Sequence, residues 1–280
     1  MQFNKDRTIQ DLTIAIPCKK SGEKLRECLN QIGKGFAKKI VIIESENNIG
    51  SSQIANEFGA ELLQFNWNGH YPKKRNWFLL NHKPSTKWVL FLDDDEWLTE
   101  KAKEALRIAM NQTTYQGFWL KYSIYIGGEK LNFGYPLYKL ALFQTETGLY
   151  EKLEEDHWSN LDMEIHEHPI LFGPVGKVKT EIEHRVNLDQ TDWKIKHEKY
   201  ATWEAKRFLQ LSRTKNKTLT PIQKIKYFIL QTPFSGMFFF IGSYIIMGGI
   251  LDGRKGFKHA CMKAAYFHSI SKEIKKQKSS

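Results

Sequence analysis

Cysteine is scarce in this sequence, and its spacing forms no pair. The three thiols, Cys18, Cys28 and Cys261, make no C-x-x-C motif. An odd, scattered set indicates reduced thiols in a reducing compartment and argues against a disulfide framework. A signal peptide is also not visible, because the first twelve residues, MQFNKDRTIQDL, contain no apolar run. We therefore expect this part of the protein to stay in the cytoplasm.

Repeats and low-complexity tracts are likewise not apparent. The chain has 280 residues, of which 41% are hydrophobic and 13% aromatic, so it has the composition of a folded protein rather than a disordered one. This length is enough to bury a sizeable core in one large domain with an appendage.

Acidic residues become rare towards the C-terminus. Residues 1–176 contain 21 Lys and Arg against 23 Asp and Glu, whereas residues 177–280 contain 21 against 8. The whole positive excess of the chain therefore lies in its last third. Such asymmetry indicates an anionic partner, either membrane phosphate or nucleic acid, unless the region is simply a solvated basic tail.

Short apolar runs alternate with amphipathic segments through the first 110 residues. This alternation predicts βαβ units and a parallel sheet covered on both faces. Thr99 is a candidate N-cap for the last of these helices. The expected strands are LTIAIPC, KIVIIES, AELLQF and WVLFL, and the expected helices are EKLRECLNQI, SSQIANEFG, KKRNWFLLNH and LTEKAKEALRIAM.

Carboxylates stand at the ends of several of these strands. Glu44 ends the second strand, and Asp93, Asp94, Asp95 and Glu96 follow the fourth. In an open α/β sheet, ligands bind beyond the carboxyl ends of the strands. Adjacent carboxylates repel one another unless a cation relieves them, and Mg²⁺ typically combines one or two carboxylates with substrate phosphates. The sequence therefore favours a metal–diphosphate site here.

Several motifs occur in a fixed order and together resemble a known family. The chain is similar to family 2 glycosyltransferases with the GT-A fold, in particular to bacterial lipopolysaccharide-core glucosyltransferases. The motifs are TIAIPCKKSGEKLRECLNQI, IVIIES, FNWNGHYPKKRNWFLL, WVLFLDDDEWLT, DMEIHEHPILFGPVGKVKTEIEH and GGILDGRKGFKHACMKAAY. Two positions depart from the family pattern: Glu44 replaces an Asp, and Asp94 replaces a small residue.

The resemblance implies an α/β GT-A fold, Rossmann-like with a mostly parallel central sheet. It implies a glycosyltransferase domain over residues 1–215, with a nucleotide-binding half (1–115) and an acceptor-side half (116–215). Residues 216–280 would form a membrane-associating helical tail. The implied activity is inverting transfer of a sugar from a UDP-linked donor to a membrane-anchored saccharide, with Mg²⁺ or Mn²⁺ at the diphosphate.

The resemblance also implies roles for individual residues. Pro17 and Glu44 would line the base and ribose pocket, and Arg75 with Asn76 would act near the phosphates. The alternative for Lys73 and Lys74 is an exposed basic helix face. The remaining assignments are Asp95 as metal ligand, Asp93 as ligand to ribose or metal, Asp94 as an extra surface charge, and His184 as a further metal ligand or donor.

An inverting transfer needs a base for the acceptor hydroxyl. Glu167, in the H-E position of the MEIHEH segment, is the preferred candidate, with Asp162 and Glu164 as rivals. His166 would orient the base or contact the leaving diphosphate. A zinc site at His166 and His168 is disfavoured, because no cysteine pair or third histidine lies nearby.

The tail contains an uncharged run of 25 residues, from Tyr227 to Leu251. This length could span a bilayer, but Pro and Gly interrupt it and basic residues flank it on both sides. We expect it to lie in the interface of an anionic leaflet at the cytoplasmic face of the cell membrane. The alternative is a buried, oligomer-forming helix pair.

Two other functions remain open at this point. A haloacid-dehalogenase-like phosphatase also carries a D-x-D motif after a strand, but Trp97 stands where that motif has Thr or Val. A nucleic-acid-binding protein would use the basic tail, although the apolar run inside that region argues against it. We therefore expect no nucleic-acid partner.

Overall fold

The computed structural model describes residues 9–19, 22–46, 49–112, 114–134, 136–155, 158–165, 167–186, 190–213 and 221–279. The chain forms two compact units. The first contains Met1–Ser123 and Leu137–Arg185, and the second contains Ile124–Pro136 and Val186–Ser280. The sequence predicts two functional domains, residues 1–215 and 216–280, and this division stays a prediction.

The first unit begins with the alternating elements that the sequence predicts. The strands are β1 (Ile9–Cys18), β2 (Ala37–Glu44), β3 (Glu61–Gln64) and β4 (Trp88–Phe91), and the helices are α1 (Glu23–Ile32), α2 (Ile49–Phe58), α3 (Lys74–Asn81) and α4 (Glu100–Met110). β1 pairs in parallel with β2 and with β4, and β2 pairs in parallel with β3. The predicted parallel sheet is therefore confirmed for this part of the chain.

Local sequence explains these elements. In α1 the buried residues, Leu25, Cys28, Leu29 and Ile32, recur at the three- and four-residue spacing of one helix face. In β2 the run from Ile40 to Ile43 is buried without alternation, as expected for a strand covered on both faces. At α4 the Thr99 side chain accepts a hydrogen bond from the Ala102 N–H at 3.1 Å, which confirms the predicted N-cap.

Antiparallel strands extend the same sheet beyond β4. They are β5 (Glu96–Trp97), β6 (Gly117–Ile126), β7 (Glu129–Lys130), β8 (Leu137–Gln144) and β11 (Val175–Val186), while β9 (Leu149–Tyr150) and β10 (Pro169–Ile170) form a separate pair. The strand order is β3-β2-β1-β4-β8-β6-β11-β5. β8 runs antiparallel to β4 and to β6, and β11 runs antiparallel to β5. The predicted α/β fold class is confirmed.

The strand order reverses between β1 and β4. From β1 the chain proceeds to β2 and β3 on one side and then returns to β4 on the other side. This is the switch point at which open α/β sheets bind ligands, beyond the carboxyl ends of the strands. Cys18 ends β1, and Asp93 follows β4 after Leu92. The acidic triplet therefore stands at the position that the fold favours for a ligand.

The second unit is mostly helical. Its helices are α5 (Gln190–Arg213), α6 (Pro221–Leu230), α7 (Ser235–Ile241) and α8 (Gly253–Ser279), with a π-helical turn (Gly242–Ile246) and a 3₁₀ turn (Gly249–Asp252) between the last two. Its core contains Ala201, Ala205, Phe208, Tyr227, Leu230, Phe239, Ile270 and Ile274. The expected helical character of the C-terminal region is confirmed.

The Leu-Asp-Gly-x-x-Gly motif has a structural role in this unit. The Asp252 carboxylate accepts hydrogen bonds from the backbone N–H groups of Asn132, at 3.0 Å, and Phe133, at 2.8 Å. It thereby holds the segment that follows the β6–β7 hairpin. A Cβ on Gly256 would lie 1.9 Å from the carbonyl oxygen of Gly249, so only glycine allows this close packing.

Large apolar side chains on this unit are exposed. They include Ile225, Phe228, Phe234, Met237, Phe238, Ile245, Ile246, Ile250, Leu251 and Phe257. In the described residues no single helix is both long and apolar enough to cross a bilayer. The segments Ser235–Ile246 and Gly249–Ser279 pass that test only together, and they meet at a bend of 72°.

The Asp252 contacts predict a stability effect. Asp252→Ala removes the charged acceptor of two part-buried backbone hydrogen bonds, each of which contributes about 0.5–1.5 kcal/mol net. We expect the free energy of unfolding in urea, followed by circular dichroism, to fall accordingly. As a matched control, Glu129→Ala removes only an exposed ion pair with Lys255 and should change stability by less than about 1 kcal/mol. Equal stability of the two variants would contradict the role of Asp252.

Candidate active site

Three consecutive basic residues at the start of α3 lie inside the protein. Lys73 is 5% exposed, Lys74 is 1% exposed and Arg75 is 9% exposed. The alternative of an exposed basic helix face is therefore wrong for Lys73 and Lys74. Each side chain points to a different acid or set of acids. The ion pairs are Lys73 with Glu155 and Glu167, Lys74 with Asp162, and Arg75 with Asp93.

Asp93, the first acid of the triplet, is held by two cations. Its Oδ1 accepts from Arg75 Nη2 at 2.8 Å, and its Oδ2 accepts from Lys139 Nζ at 2.6 Å. Lys139 comes from β8 and also bonds Glu96, which is 1% exposed. The Glu96 carboxylate accepts in turn from the Asp93 backbone N–H at 3.0 Å. Two cations and two carboxylates thus form one connected cluster directly after β4.

Burial and charge oppose each other in this cluster. Burial is the largest single effect and lowers the pKa of Arg75 and of Lys139, but Asp93, Glu96 and other neighbouring groups together outweigh it, so both pKa values are raised. Burial raises the pKa of Glu96 to about 7, against the opposing charge of Lys139. Both cations therefore stay charged and keep the Asp93 carboxylate in one orientation.

Asp95, the third acid, faces a different partner. Its Oδ1 lies 3.4 Å from His184 Nε2, and its backbone oxygen accepts from the Arg185 N–H at 2.8 Å. His184 is opposite Glu96 in the β5–β11 pairing. This pairing brings the side chains of His184 and Asp95 together, although the two residues are 89 positions apart in the sequence. The pKa of His184 is raised, because the hydrogen bond and charge of Asp95 outweigh the lowering effect of burial.

The Asp95–His184 pair fits a divalent cation as two of its ligands. Cis ligands of an octahedral Mg²⁺ stand about 3 Å apart, close to the separation observed here. The other imidazole nitrogen, Nδ1, is buried and has no hydrogen-bond partner among the described residues. In that part of the chain no three His, Cys, Asp or Glu side chains converge on one point.

Glu164 supports the helix that carries the basic residues. Its carboxylate accepts from the backbone N–H groups of Arg75, at 3.0 Å, and Asn76, at 3.1 Å. These are N–H groups that an α-helix leaves unpaired at its N-terminus. Burial raises the pKa of Glu164, although Arg75 and the backbone donors act in the opposite direction.

Asn76 is also engaged with backbone. Its amide donates to the Tyr150 carbonyl oxygen at 2.9 Å and accepts from the Tyr150 N–H at 2.8 Å. The side chain therefore ties α3 to β9, and its role near the phosphates stays a prediction.

Asp162 closes the opposite side of the basic cluster. It pairs with Lys74 at 3.1 Å and accepts a hydrogen bond from Ser45, while Lys74 also donates to the Cys18 carbonyl oxygen at 2.8 Å. Burial raises the pKa of Asp162, but Lys74 and the Ser45 hydrogen bond outweigh it, so the pKa is lowered overall. Asp162 therefore stays ionised, tied to the ends of β1 and β2.

Glu44 and Pro17 lie where the sequence placed them, at the ends of neighbouring strands. Glu44 is 1% exposed, is opposite Cys18 in the pairing, and accepts from Ser51 at 2.6 Å. Pro17 is buried opposite Ile43. Their contact with a donor stays a prediction.

Glu167 is 5% exposed and lies in a cleft beside α3. Its Oε2 accepts from the Ile165 N–H at 2.7 Å, and its Oε1 lies 3.5 Å from Lys73 Nζ. His166, which was expected to orient this base, lies outside the described residues. Of the three candidate bases, Asp162 and Glu164 are each bound to groups that hold α3 in place.

Two residues of the site were not predicted from the sequence. Lys139 is a single charge within an otherwise apolar stretch of β8, LYKLALFQ, and this isolation was the only available signal. Glu96 was read as the fourth acid of a run, but it is buried and bridges Lys139 and the Asp93 backbone. Both contacts depend on β8 lying beside β4, which the sequence did not show.

Comparison with known proteins identifies a matching family. Residues 13–168 match the family model described as glycosyl transferase family 2. This match covers more than half of the chain and contains α3, the acidic triplet and Glu167. A search of curated proteins gives no match.

Several solved structures are similar to this chain. S. aureus TarS is 15% identical with a TM-score of 0.44 over 81% of this chain, which spans 44% of the length of TarS. S. aureus TarS 1-349 in complex with UDP-GlcNAc is 12% identical with a TM-score of 0.47, over 96% of this chain and 92% of that one. Glucosyl-3-phosphoglycerate synthase from Mycobacterium tuberculosis, in complex with Mn²⁺, UDP and glucosyl-3-phosphoglycerate, is 12% identical with a TM-score of 0.31, over 42% and 45%.

Proposed function

This chain belongs to glycosyl transferase family 2, and we propose that it transfers a sugar from a UDP-linked donor to a membrane-anchored saccharide, such as a lipopolysaccharide core, with inversion. The observation that carries the proposal is the family match over residues 13–168, which contains the crevice at the β1–β4 switch point. Because the chain belongs to this family, glycosyl transfer is favoured over the reaction of a haloacid-dehalogenase-like phosphatase.

The donor would lie across the carboxyl ends of β1, β2 and β4. Glu44 and Pro17 stand at the side suited to the base and ribose, and Asp93 stands at the other side. Arg75 and Lys139 would orient the Asp93 carboxylate towards a bound donor.

Asp95 and His184 would hold a Mg²⁺ or Mn²⁺ ion at the diphosphate. When bound, such an ion would supply charge neutralisation for the leaving nucleotide. Asp93 is less suited to be a ligand, because both its carboxylate oxygens already bind cations of the protein.

The metal proposal predicts unequal effects within the triplet. Asp95→Ala and His184→Ala should each weaken Mg²⁺-dependent UDP binding by about 10-fold or more, and Asp94→Ala should change it by less than about 3-fold. The measurement is calorimetry with UDP, in Mg²⁺ and in EDTA. The same UDP affinity in both solutions for the unaltered protein would reject a bridging ion. Equal, mild losses in all three variants would reject the ligand assignment.

The transfer step requires one base. The acceptor oxygen forms a bond to the anomeric carbon while the bond from that carbon to the diphosphate oxygen breaks, and the acceptor proton passes to a carboxylate. Glu167 is proposed for this role because it stands in the H-E position and its carboxylate lines the cleft, 3.5 Å from Lys73 Nζ. Glu164 lines the same cleft, but both its oxygens accept helix N–H groups, and Asp162 is paired with Lys74.

Glu167→Gln and Glu164→Gln should therefore fail in different ways. Loss of a general base costs about 10² to 10⁴ in rate, so Glu167→Gln should lose kcat but keep donor affinity within a few-fold. Glu164→Gln weakens the acceptor for two helix N–H groups and should lower the thermal midpoint as well as donor affinity. Steady-state transfer, donor calorimetry and thermal melts separate the two. Full activity in Glu167→Gln would move the base to another residue.

We also propose that the second unit lies on an anionic membrane at its cytoplasmic face. Exposed apolar side chains such as Phe228, Ile246 and Leu251 occur in the same region as the exposed cations Arg254 and Lys258. Apolar groups buried at the acyl boundary with cations at the headgroups characterise interfacial proteins. Each cation near an anionic surface contributes about 1 kcal/mol.

The membrane proposal predicts flotation with vesicles of phosphatidylglycerol and phosphatidylcholine. The double variant Ile246→Asp, Leu251→Asp should reduce the bound fraction several-fold, because charge on this surface opposes insertion. Phe172→Asp is the matched control: Phe172 is 92% exposed in the first unit, and its replacement should have no effect. Binding of the unaltered protein to RNA but not to vesicles would instead favour the nucleic-acid alternative.

A further inference from the structure

The side chains of Trp97 and Arg185 stack on each other at the end of the sheet. We propose that they are positioning residues, which keep His184 beside Asp95. This inference rests on the proposed function, because it concerns how the proposed ligand pair is held in place. Both residues belong to the first unit, Trp97 on β5 and Arg185 on β11. They would act through the ligand pair and not by binding the ion themselves.

β5 is a short strand at one end of the strand order. It contains two residues, Glu96 and Trp97, and lies beside β11. Glu96 is opposite His184, and Trp97 is opposite Glu183. So short a pairing provides few backbone hydrogen bonds, and a slip of one residue would put the side chains of β5 on the opposite face relative to those of β11. The position of His184 therefore depends on further interactions that fix the register.

Three side chains on one face of the two strands provide such interactions. Glu183 and Arg185 are two residues apart on β11 and so point to the same face as Trp97, which is opposite Glu183. The central guanidinium carbon of Arg185 lies 4.3 Å from the centroid of the Trp97 ring. The Arg185 Nε also donates to Glu183 Oε2 at 3.0 Å, which keeps the guanidinium plane in one orientation. Among aromatic residues, Trp gives the strongest attraction to a cation over its face.

The backbone connects this face to the ligand pair. The Arg185 N–H donates to the Asp95 carbonyl oxygen at 2.8 Å, one residue before β5 begins. His184 lies between Glu183 and Arg185, so its side chain leaves the opposite face of β11. Its Nε2 lies 3.4 Å from Asp95 Oδ1. The Trp97–Arg185 stack thus fixes the two backbone segments from which Asp95 and His184 extend.

The test compares UDP binding by calorimetry in Mg²⁺ and in EDTA, with the full chain. Trp97→Ala should weaken binding in Mg²⁺ by about 3- to 10-fold, up to the lower limit of the losses typical for groups that orient metal ligands, and leave binding in EDTA within about 2-fold. Trp97→Tyr keeps an aromatic face for Arg185 and should recover most of the affinity. An equal loss in both solutions would indicate a general structural defect and would overturn the proposal.

A double variant tests whether Trp97 acts through His184. Replacements of residues that depend on each other are not additive in their effects. In the His184→Ala background, Trp97→Ala should therefore change UDP affinity in Mg²⁺ by no more than about 2-fold. A full additional loss would mean that Trp97 acts by another route, and the proposal would be wrong.

Tyr138→Ala is the matched control. Tyr138 is an exposed aromatic residue that also lies against a cation of β11, with Lys177 Nζ 5.8 Å from its ring centroid. Its removal should leave UDP affinity unchanged in both solutions. Arg185→Met removes the guanidinium but keeps an apolar stem, and it should lower the affinity in Mg²⁺ as Trp97→Ala does. This variant keeps the test valid if Trp97→Ala fails to fold.

The outcomes separate this inference from the proposed function. If the unaltered protein does not bind UDP, or binds it equally in Mg²⁺ and in EDTA, the proposed donor and metal site itself fails. If its binding depends on Mg²⁺ but neither Trp97→Ala nor Arg185→Met alters that dependence, only the positioning role fails.

Discussion

The basic start of α3 is the interaction on which the rest of the first unit depends. Lys73, Lys74 and Arg75 are consecutive, yet their side chains pair with different acids, the two lysines with acids of the segment after β9 and Arg75 with Asp93. One reaches the cleft at residues 155–167, one reaches Asp162 and the end of β1, and one reaches Asp93 after β4. A single helical turn therefore fixes the relative positions of the crevice at the strand ends and of the cleft that contains Glu167.

Two electrostatic effects act against the burial of cations at the start of α3. Cations at a helix N-terminus face the positive end of the helix dipole, which costs about 0.3–1 kcal/mol each when exposed, and buried ion pairs lose their hydration. Glu164 offsets the first effect by accepting two N–H groups of that terminus. Removing one partner of a buried pair typically costs about 3–5 kcal/mol, so each acid is tied to its cation. We infer that the buried pairs contribute positioning rather than net stability. Replacing Lys74 and Asp162 together by apolar residues should then cost activity more than stability.

Much of the parallel half of the sheet could be predicted from the sequence, whereas most of the antiparallel half could not. Apolar runs and helix periodicity are local signals, and they placed β1 to β4 and α1 to α4 correctly. The order of β8, β6, β11 and β5 depends on contacts between distant segments. For the same reason the sequence singled out Asp93 and Asp95, which follow a local apolar run, but did not indicate Lys139, because its partners lie 43 and 46 residues earlier in the chain.

The two outer acids of the triplet have different contact partners because of the antiparallel strands. From the sequence alone, Asp93 and Asp95 are equivalent carboxylates at the end of one strand, and both are candidate metal ligands. With β8 beside β4, Lys139 and Arg75 take both oxygens of Asp93. With β11 beside β5, His184 comes to Asp95. The antiparallel strands thus bind both oxygens of one acid to cations of the protein and bring a histidine to the other, so a D-x-D motif alone does not distinguish the two acids.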